Sequence, residues 1–234
     1  MAAGQTPVRE LHLHRGPDCA NLMFDMANHS GRMTKPRTKI QTRNIKAILE
    51  AALDVFSQQG FRGATVDQIA EAAGLSKPNL LYYFPSKEAV HTALLDQLLR
   101  TWLDPLQAMN PDGDPIAEIL GYVRRKLELA RSFPRESRLF ANEILQGAPR
   151  IRETIAGELK TLVDEKSAVL TRWMDEDRIT RLPPVHLIFS IWALTQHYAD
   201  FDVQVRAVLG ADHDPFAEAE PFLETLFTRL LRPS

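Results

Sequence analysis

The chain has 234 residues, of which 44% are hydrophobic and 25% are charged, and its formal net charge is −2. This composition is typical of a soluble globular chain with one or two domains. We expect neither a transmembrane helix, which needs roughly 20 apolar residues in a row, nor a signal peptide, because residues 1–30 lack its basic-then-apolar order. The single Cys19 has no internal partner for a disulfide, so we expect a cytoplasmic protein without a membrane partner.

The N-terminal segment, residues 1–33, mixes Gly, Pro, His and Asn without a sustained apolar period. Such a composition predicts a disordered arm rather than a packed element. His12 and His14 lie close together, but no convincing third ligand accompanies them. We therefore expect no metal site and no cofactor.

A basic segment begins at the end of the arm, with no acidic residue between Arg32 and Leu49. Residues 31–90 carry nine Lys/Arg against five Asp/Glu, so positive charge is concentrated here although the whole chain is slightly acidic. Clustered cations are typical of phosphate contacts, and Arg43 is a candidate; the alternative is a solvated basic tail. Apolar residues at helical spacing over 45–56 predict a helix directly behind this segment.

Two short helices with a tight turn between them are predicted next. Thr65 is a good N-cap, and Gln68 three positions later completes a capping box that begins the first helix. Gly74 permits the sharp turn that follows, Ser76 caps the second helix, and Pro85 ends it. A helix, a Gly-containing turn and a second helix form the helix-turn-helix pattern.

The second short helix carries hydroxyl, amide and cationic side chains, and these are Ser76, Lys77, Asn79, Tyr82 and Tyr83. Such groups suit base edges and phosphates, and the N-terminal part of a recognition helix is the part that enters the major groove. From the spacing alone, a capped helical hairpin with a solvated polar face is the alternative.

A longer motif surrounds this hairpin. It consists of Phe61, Gly63, Thr65, Ile69, Ala70, Ala73, Gly74, Ser76, Lys77, Leu81, Tyr82, Tyr83, Phe84, Ser86, Lys87 and Glu88. The motif resembles the N-terminal domain of TetR-type transcriptional repressors. The resemblance implies a three-helix DNA-binding domain over residues 34–86 and DNA contacts from Thr65, Ser76, Lys77, Asn79, Tyr82, Tyr83 and Lys87.

From residue 86 onward every apolar segment keeps helical spacing, and Pro or Gly separates the segments. The pattern predicts helices near 86–104, 115–131, 135–146, 150–177, 184–208 and 215–231. We therefore expect an all-α protein, in which a helical domain over residues 87–234 follows the helix-turn-helix domain.

The last predicted helix has more apolar surface than a single terminal helix normally exposes to solvent. Phe222, Leu226 and Leu230 contribute to this surface. Segment 150–177 is strongly charged but keeps a narrow apolar seam. The TetR resemblance implies that two long C-terminal helices pair with their copies in a homodimer, which would bind a pseudo-palindromic DNA operator. Burial inside a monomer is the alternative.

Polar and aromatic residues are set among Leu, Ile and Phe in this region, and the candidates are Trp102, Asn142, Trp192, Gln196 and Asp200. Such a mixture can build a ligand pocket. Trp192, Gln196 and Asp200 recur every four residues and so share a helix face. For each residue, an ordinary core or interface position is the alternative.

Stretches 133–149, 162–170 and 187–201 are similar to one TetR subgroup, the repressors of pyrimidine utilisation that answer to uracil and thymine. The resemblance covers residues 45–231, and it departs at the arm and at residues 209–220. It implies a domain that binds uracil or thymine as an effector and that then releases the DNA.

Two other functional classes fit the sequence less well. An enzyme is disfavoured, because the neighbours His197 and Asp200 come without a nucleophile elbow, a phosphate loop or a His-Glu-x-x-His motif. A purely architectural DNA-binding protein would not need so large a C-terminal domain. The sequence thus predicts a ligand-responsive transcriptional regulator with no catalytic residues.

Overall fold

A computed structural model describes residues 38–210 and 212–233, and within these ranges the regular structure is helical, with no strand. The all-α prediction is therefore confirmed. The predicted arm and the basic residues Arg32, Lys35 and Arg37 lie outside the described residues. None of the described helices is long and apolar enough to cross a membrane.

Helices α1 Lys39–Gly63, α2 Val66–Ala72 and α3 Lys77–Tyr83 form the N-terminal part. The predicted capping box of α2 is present: the amide of Gln68 donates to Thr65 Oγ1 at 3.2 Å, and the amide of Thr65 donates to Gln68 Oε1 at 2.9 Å. Gly74 ends α2 with a φ of +67°, a left-handed conformation that glycine adopts without strain. These local features fix the hairpin that the sequence predicted.

The remaining helices are α4 Lys87–Gln107, α5 Pro115–Ser132, α6 Pro134–Leu145, α7, α8 Pro184–Asp200, α9 Asp202–Leu209 and α10 Pro215–Leu231. Helix α7 is made of Arg152–Thr154, a π-helical turn Ile155–Leu159 and Lys160–Asp175. The predicted helix positions are confirmed with one exception.

The single helix predicted over residues 184–208 was wrong. The chain leaves helical geometry at Phe201, where φ is −113° and ψ is 30°, and this residue separates α8 from α9. After the break α9 packs against α10 and buries Val205. The apolar spacing continues across the break, so the spacing did not reveal it.

Two hydrophobic cores organise the fold, and α4 contributes to both. The N-terminal core joins α1, α2 and α3 to Val90 and Leu94 of α4. The C-terminal core is built around Tyr122, Trp173 and Phe227, and α4 enters it through Leu106. A displacement of α4 would therefore be felt in both halves of the molecule.

The two halves also touch through a set of contacts around Arg150 and α6. Arg150 follows α6 and donates from Nη1 to Glu143 Oε2 at 2.7 Å, while its guanidinium carbon lies 3.6 Å from the centroid of the Phe61 ring at the end of α1. Leu139 of α6 packs into the N-terminal core, and Arg135 pairs with Asp54 of α1.

Candidate nucleic-acid interface and ligand pocket

The outer face of α3 carries the side chains that the sequence predicted to contact DNA. Ser76 caps the helix, because its Oγ accepts from the amide of Asn79 at 3.4 Å. Leu80 is fully buried and anchors the inner face, whereas Lys77, Asn79 and Tyr82 are exposed. Tyr82 is 72% exposed although it is a large aromatic residue. The face thus offers a cation, an amide and a phenol, which suit phosphates and base edges.

Lys77 is paired with Asp67 of α2 in the unbound protein. Its Nζ lies 2.8 Å from Asp67 Oδ2, and both side chains are at least half exposed. Ion pairs this exposed contribute roughly 0–1 kcal/mol. A phosphate or a base can therefore replace the Asp67 carboxylate at little cost.

Tyr83 is positioned by a residue that the sequence reasoning missed. Asn44 of α1 donates from Nδ2 to the Tyr83 hydroxyl at 3.0 Å. The Tyr82 and Tyr83 rings meet edge to face, with 5.1 Å between their centroids. Asn44 follows the predicted phosphate contact Arg43 directly in the sequence, and this adjacency was the available signal.

Lys87 holds the end of α1 against the start of α4. Its ammonium donates to the carbonyl oxygens of Phe61 and Ala64, both at 2.8 Å, and lies 4.5 Å from the centroid of the Phe61 ring. An ammonium has three N–H donors, so one remains for the DNA contact that the sequence predicted. Lys87 therefore also has a structural role that its motif position did not indicate.

The two remaining candidates for DNA contacts lie on exposed surface. Arg43 is exposed on α1. Thr65 is exposed as well, but its hydroxyl is engaged in the capping box with Gln68. Its contact with DNA would add to this structural role.

In the C-terminal part, polar side chains from four helices surround a narrow cavity that is closed to water in this conformation. Trp102 of α4, Lys126 of α5, Ser137 of α6 and Gln196 of α8 line it. The Ser137 hydroxyl donates to Asp200 Oδ1 at 2.5 Å, so the next helical turn of α8 is joined to the same cluster. Of the predicted ligand residues, the structure brings Trp102, Gln196 and Asp200 together.

Burial shifts the titration of both charged members of this cluster. Burial lowers the pKa of the Lys126 ammonium to about 8, and the Asp200 carboxylate opposes that shift. Burial likewise raises the pKa of the Asp200 carboxyl, although the Ser137 hydrogen bond and the Lys126 charge act in the opposite direction. Each charge is thus held in a poorly solvated environment, as often occurs at functional sites.

Trp192 lies one turn before Gln196 on α8 and faces the C-terminal core. Its indole N–H donates to the Tyr122 hydroxyl at 2.5 Å, and its ring lies 5.5 Å from that of Phe189. Burial raises the pKa of the Tyr122 phenol, so this phenol stays protonated. The Trp192 N–H is therefore already occupied, and its ring face is what remains for a ligand.

Asn142 was predicted to help build the same ligand pocket as Gln196, and the structure does not place it there. The buried positions on α6 include Ser137, Leu139 and Glu143, which turns Asn142 to the exposed surface of the single chain. Asn142 is also not among the residues that line the cavity. Lys126 and Ser137 occupy the places next to Gln196 instead. The sequence did contain a signal for Lys126, which falls at a position of the apolar face of α5.

An apolar surface remains exposed along α10. Phe222, Leu226 and Leu230 are 57%, 37% and 39% exposed, and they follow one another at helical spacing. Phe222 also borders an open groove between α8, α9 and α10. Contiguous apolar surface of this kind is typical of a protein–protein interface.

Within residues 38–210 and 212–233, no three His, Cys, Asp or Glu side chains lie close enough to hold a metal ion. His12 and His14 lie outside these ranges. The residues predicted to contact nucleic acid, a small ligand and a second chain lie on different parts of the molecule.

Both halves of the chain are similar to known protein families. Residues 48–94 match the family profile "Bacterial regulatory proteins, tetR family", and residues 95–234 match "YcdC-like protein, C-terminal region". The chain is 52% identical over 186 residues to the HTH-type transcriptional regulator RutR of Escherichia coli (strain K12), which covers 80% of this chain and 88% of that protein. It is 30% identical over 128 residues to the HTH-type transcriptional regulator EthR of Mycolicibacterium smegmatis, over 53% of this chain and 58% of that protein.

Solved structures show the same fold. A TetR-like transcriptional regulator from Rhodococcus sp. RHA1 aligns with a TM-score of 0.60 at 22% identity, over 84% of this chain and 97% of that one. The fatty acid degradation regulator FadR from Bacillus halodurans aligns with a TM-score of 0.59 at 22% identity, over 82% and 96%. The two sequence relatives described above are transcriptional regulators, which confirms the prediction that the chain is not an enzyme.

Proposed function

The chain belongs to the TetR family of bacterial transcriptional regulators, and from this membership we propose that it is a homodimeric repressor released from its operator by uracil or thymine. The observation that carries the proposal is that α4 is shared between the two halves. This helix begins at Lys87, beside the DNA-reading hairpin, and reaches the polar cavity at Trp102. A molecule bound in the cavity can therefore act on the DNA-binding surface through one rigid element.

We assign the DNA contacts to Arg43, Thr65, Ser76, Lys77, Asn79, Tyr82, Tyr83 and Lys87. Arg43 lies on α1 and anchors a phosphate, which adds affinity without sequence preference. Lys77 and Tyr83 lie on α3 and contact or pack on bases, which discriminates between sequences. The exposed ion pair of Lys77 and the hydrogen bond from Asn44 to Tyr83 support these roles, because one side chain is readily released and the other is held in place.

We assign the dimer interface to the apolar face of α10. Phe222, Leu226 and Leu230 leave a surface that a second copy of the chain would cover. A two-fold interface is self-complementary and relates two identical copies of α3, so the operator is a pseudo-palindrome.

The effector site is the cavity beside Gln196 and Trp102, with Trp192 and Asp200 on neighbouring turns of α8. The support for a pyrimidine is the 52% identity to RutR, together with the resemblance of stretches 133–149, 162–170 and 187–201 to repressors of pyrimidine utilisation. A nucleobase is a flat ring with donors and acceptors at its edge, which the Gln196 amide can match. Linkage then requires that DNA weaken effector binding by the same factor by which the effector weakens DNA binding, typically ~5- to 150-fold.

These assignments divide the chain into a reading domain over residues 34–86 and a sensing and dimerisation domain over residues 87–234, with residues 1–33 as a preceding arm. A protein that regulates bacterial transcription acts on chromosomal DNA, so we assign it to the cytoplasm.

A binding-site selection on the purified full-length protein tests the proposal as a whole. The expected result is an enriched two-fold symmetric site in the absence of nucleobases, and loss of that enrichment when uracil or thymine is present. Adenine serves as the control nucleobase and should leave the enrichment unchanged. A selection that enriches no two-fold site would contradict the proposal that a homodimer binds the operator. A site that stays enriched with every pyrimidine would support DNA binding by a dimer but contradict the proposed pyrimidine effector.

A further inference from the structure

Helix α6 connects the two halves of the molecule independently of α4. One side of it contacts the helix-turn-helix domain, because Leu139 packs into the N-terminal core and Arg135 pairs with Asp54 of α1. The other side supplies Ser137 to the polar cavity, where its hydroxyl donates to Asp200 of α8 at 2.5 Å. A movement at the cavity can therefore reach α1 directly through α6.

The segment after α6 adds a contact at Arg150, which lies against the end of α1. Its guanidinium carbon is 3.6 Å from the centroid of the Phe61 ring, and the Lys87 ammonium of α4 is 4.5 Å from the same centroid. Glu143 of α6 fixes the guanidinium, because its Oε2 accepts from Arg150 Nη1 at 2.7 Å and its Oε1 accepts from the amide of Arg150 at 2.9 Å. Phe61 is thus held both from α4 and from α6.

The contact between Arg150 and Phe61 depends on one orientation of the helix-turn-helix domain. A cation is attracted to an aromatic face only within about 6 Å of the ring centroid, so a shift of α1 by a few ångströms removes the contact. The cavity is closed to water in this conformation, so an effector does not fit. Under the proposed function, a conformation that excludes the effector is the one that binds the operator. The contact therefore stabilises the operator-binding state.

We propose that Arg150 is a positioning residue that couples the two halves: it holds Phe61 in the operator-binding state and releases it when the effector displaces α6. This inference rests on the proposed function and identifies a residue that regulates it. Arg150 does not line the cavity, so it acts on effector binding only through the conformation of the protein. The route through α6 operates beside the route through α4.

The sign of the coupling distinguishes a positioning role from a merely structural one. Removing a contact that exists only in the operator-binding state shifts the population toward the effector-binding state. A variant without the contact therefore binds the effector more tightly and releases the operator at a lower effector concentration. A variant that is only destabilised contains fewer folded molecules, so its apparent affinity falls for the operator and for the effector alike.

The test is a titration with uracil of a labelled operator bound to the full-length protein, followed by fluorescence anisotropy. The uracil concentration that releases half of the operator should fall by about 10-fold in Arg150→Met, since a partly desolvated cation–π contact shifts an equilibrium by about this factor. Calorimetry without DNA should show that Arg150→Met binds uracil more tightly than the unmodified protein does.

Two further variants make the result specific. Arg152→Met is the matched control, since Arg152 is a nearby exposed arginine whose Nη2 donates to the carbonyl oxygen of Gly147 at 2.8 Å; it should leave the release concentration unchanged. Phe61→Leu removes the aromatic face and keeps an apolar side chain, so it should lower the release concentration even if Arg150→Met fails to fold. Adding Arg150→Met to Phe61→Leu should then cause little further change.

The outcomes separate this inference from the proposed function. If uracil releases the operator from the unmodified protein, but Arg150→Met and Phe61→Leu need the same uracil concentration or a higher one, the inference is overturned and the pyrimidine-responsive repressor stands. An equal shift in Arg152→Met would overturn the specific role of Arg150. An unmodified protein that keeps its operator at saturating uracil would overturn both.

Discussion

Arg150→Met perturbs the contact between the two halves of the molecule, and the structure gives the size of the effect. The Glu143 side chain is 2% exposed and the Arg150 side chain is 20% exposed. Without the guanidinium, the amide of residue 150, at 2.9 Å, is the remaining donor to the buried carboxylate. An uncompensated buried charge costs about 3–5 kcal/mol, and the partial exposure of Arg150 argues for the lower end. We expect the free energy of unfolding to fall by about 3 kcal/mol.

Urea unfolding of the unmodified protein, Arg150→Met, Glu143→Gln and the double variant measures this effect at one fixed protein concentration, because dimer stability depends on concentration. The double variant removes the uncompensated charge, so the cycle should give a coupling energy of at least about 1.5 kcal/mol. Arg181→Met is the matched control: Arg181 lies 2.8 Å from Asp175, but both side chains are more than half exposed. Its loss should cost less than about 1 kcal/mol.

Equal midpoints for Arg150→Met and Arg181→Met would refute the reasoning, since burial is the main difference between the two ion pairs. A large loss of stability in Arg150→Met without a coupling energy to Glu143 would mean that the ion pair is not the cause. In that case the guanidinium would act through its contact with the Phe61 ring, 3.6 Å away.

Three other predictions follow from the same structure. Burial lowers the pKa of His91 from 6.5 to about 4, so the stability that neutral His91 contributes is present above pH 6.5 and is lost as the pH falls toward 4. His91→Phe should remove this pH dependence of the free energy of unfolding, measured with urea. An unchanged pH profile would show that His91 is not its source. Arg43→Ala should flatten the slope of log operator affinity against log salt by roughly one phosphate contact, whereas Lys77→Ala should change the DNA sequence that is selected. Salt and sequence profiles that do not differ between the two variants would contradict the assignment of Arg43 to a phosphate and Lys77 to a base. Replacing Leu226 and Leu230 together by Glu should give monomers that lose operator affinity, and an unchanged dimer in sedimentation would remove both from the interface.

Features that depend on neighbouring residues were predictable from the sequence. The capping box of Thr65 and Gln68, the cap at Ser76 and the turn at Gly74 are all present, because each satisfies backbone groups within a few residues of itself. The break at Phe201 was not predictable in the same way, since it depends on how α9 packs on α10 and the local apolar pattern runs through it.

The ligand cluster was predictable only in part. The four-residue spacing on α8 correctly associated Gln196 with Asp200, which the structure joins to the same cluster through Ser137. Lys126 was missed because lysine is normally a surface residue. Asn142 was misplaced because its orientation depends on which face of α6 is buried against the rest of the fold, and that information is not local.

The central claim is that a pyrimidine bound near Gln196 releases the operator, and the fluorescence anisotropy of a labelled operator tests it most directly. Operator bound to the unmodified protein should be released as uracil is added, while Gln196→Ala should bind the same operator with equal affinity and retain it at the same uracil concentrations. Parallel calorimetry reports whether uracil binds at all. Complete retention of the operator by the unmodified protein at saturating uracil and thymine would contradict the account of the effector.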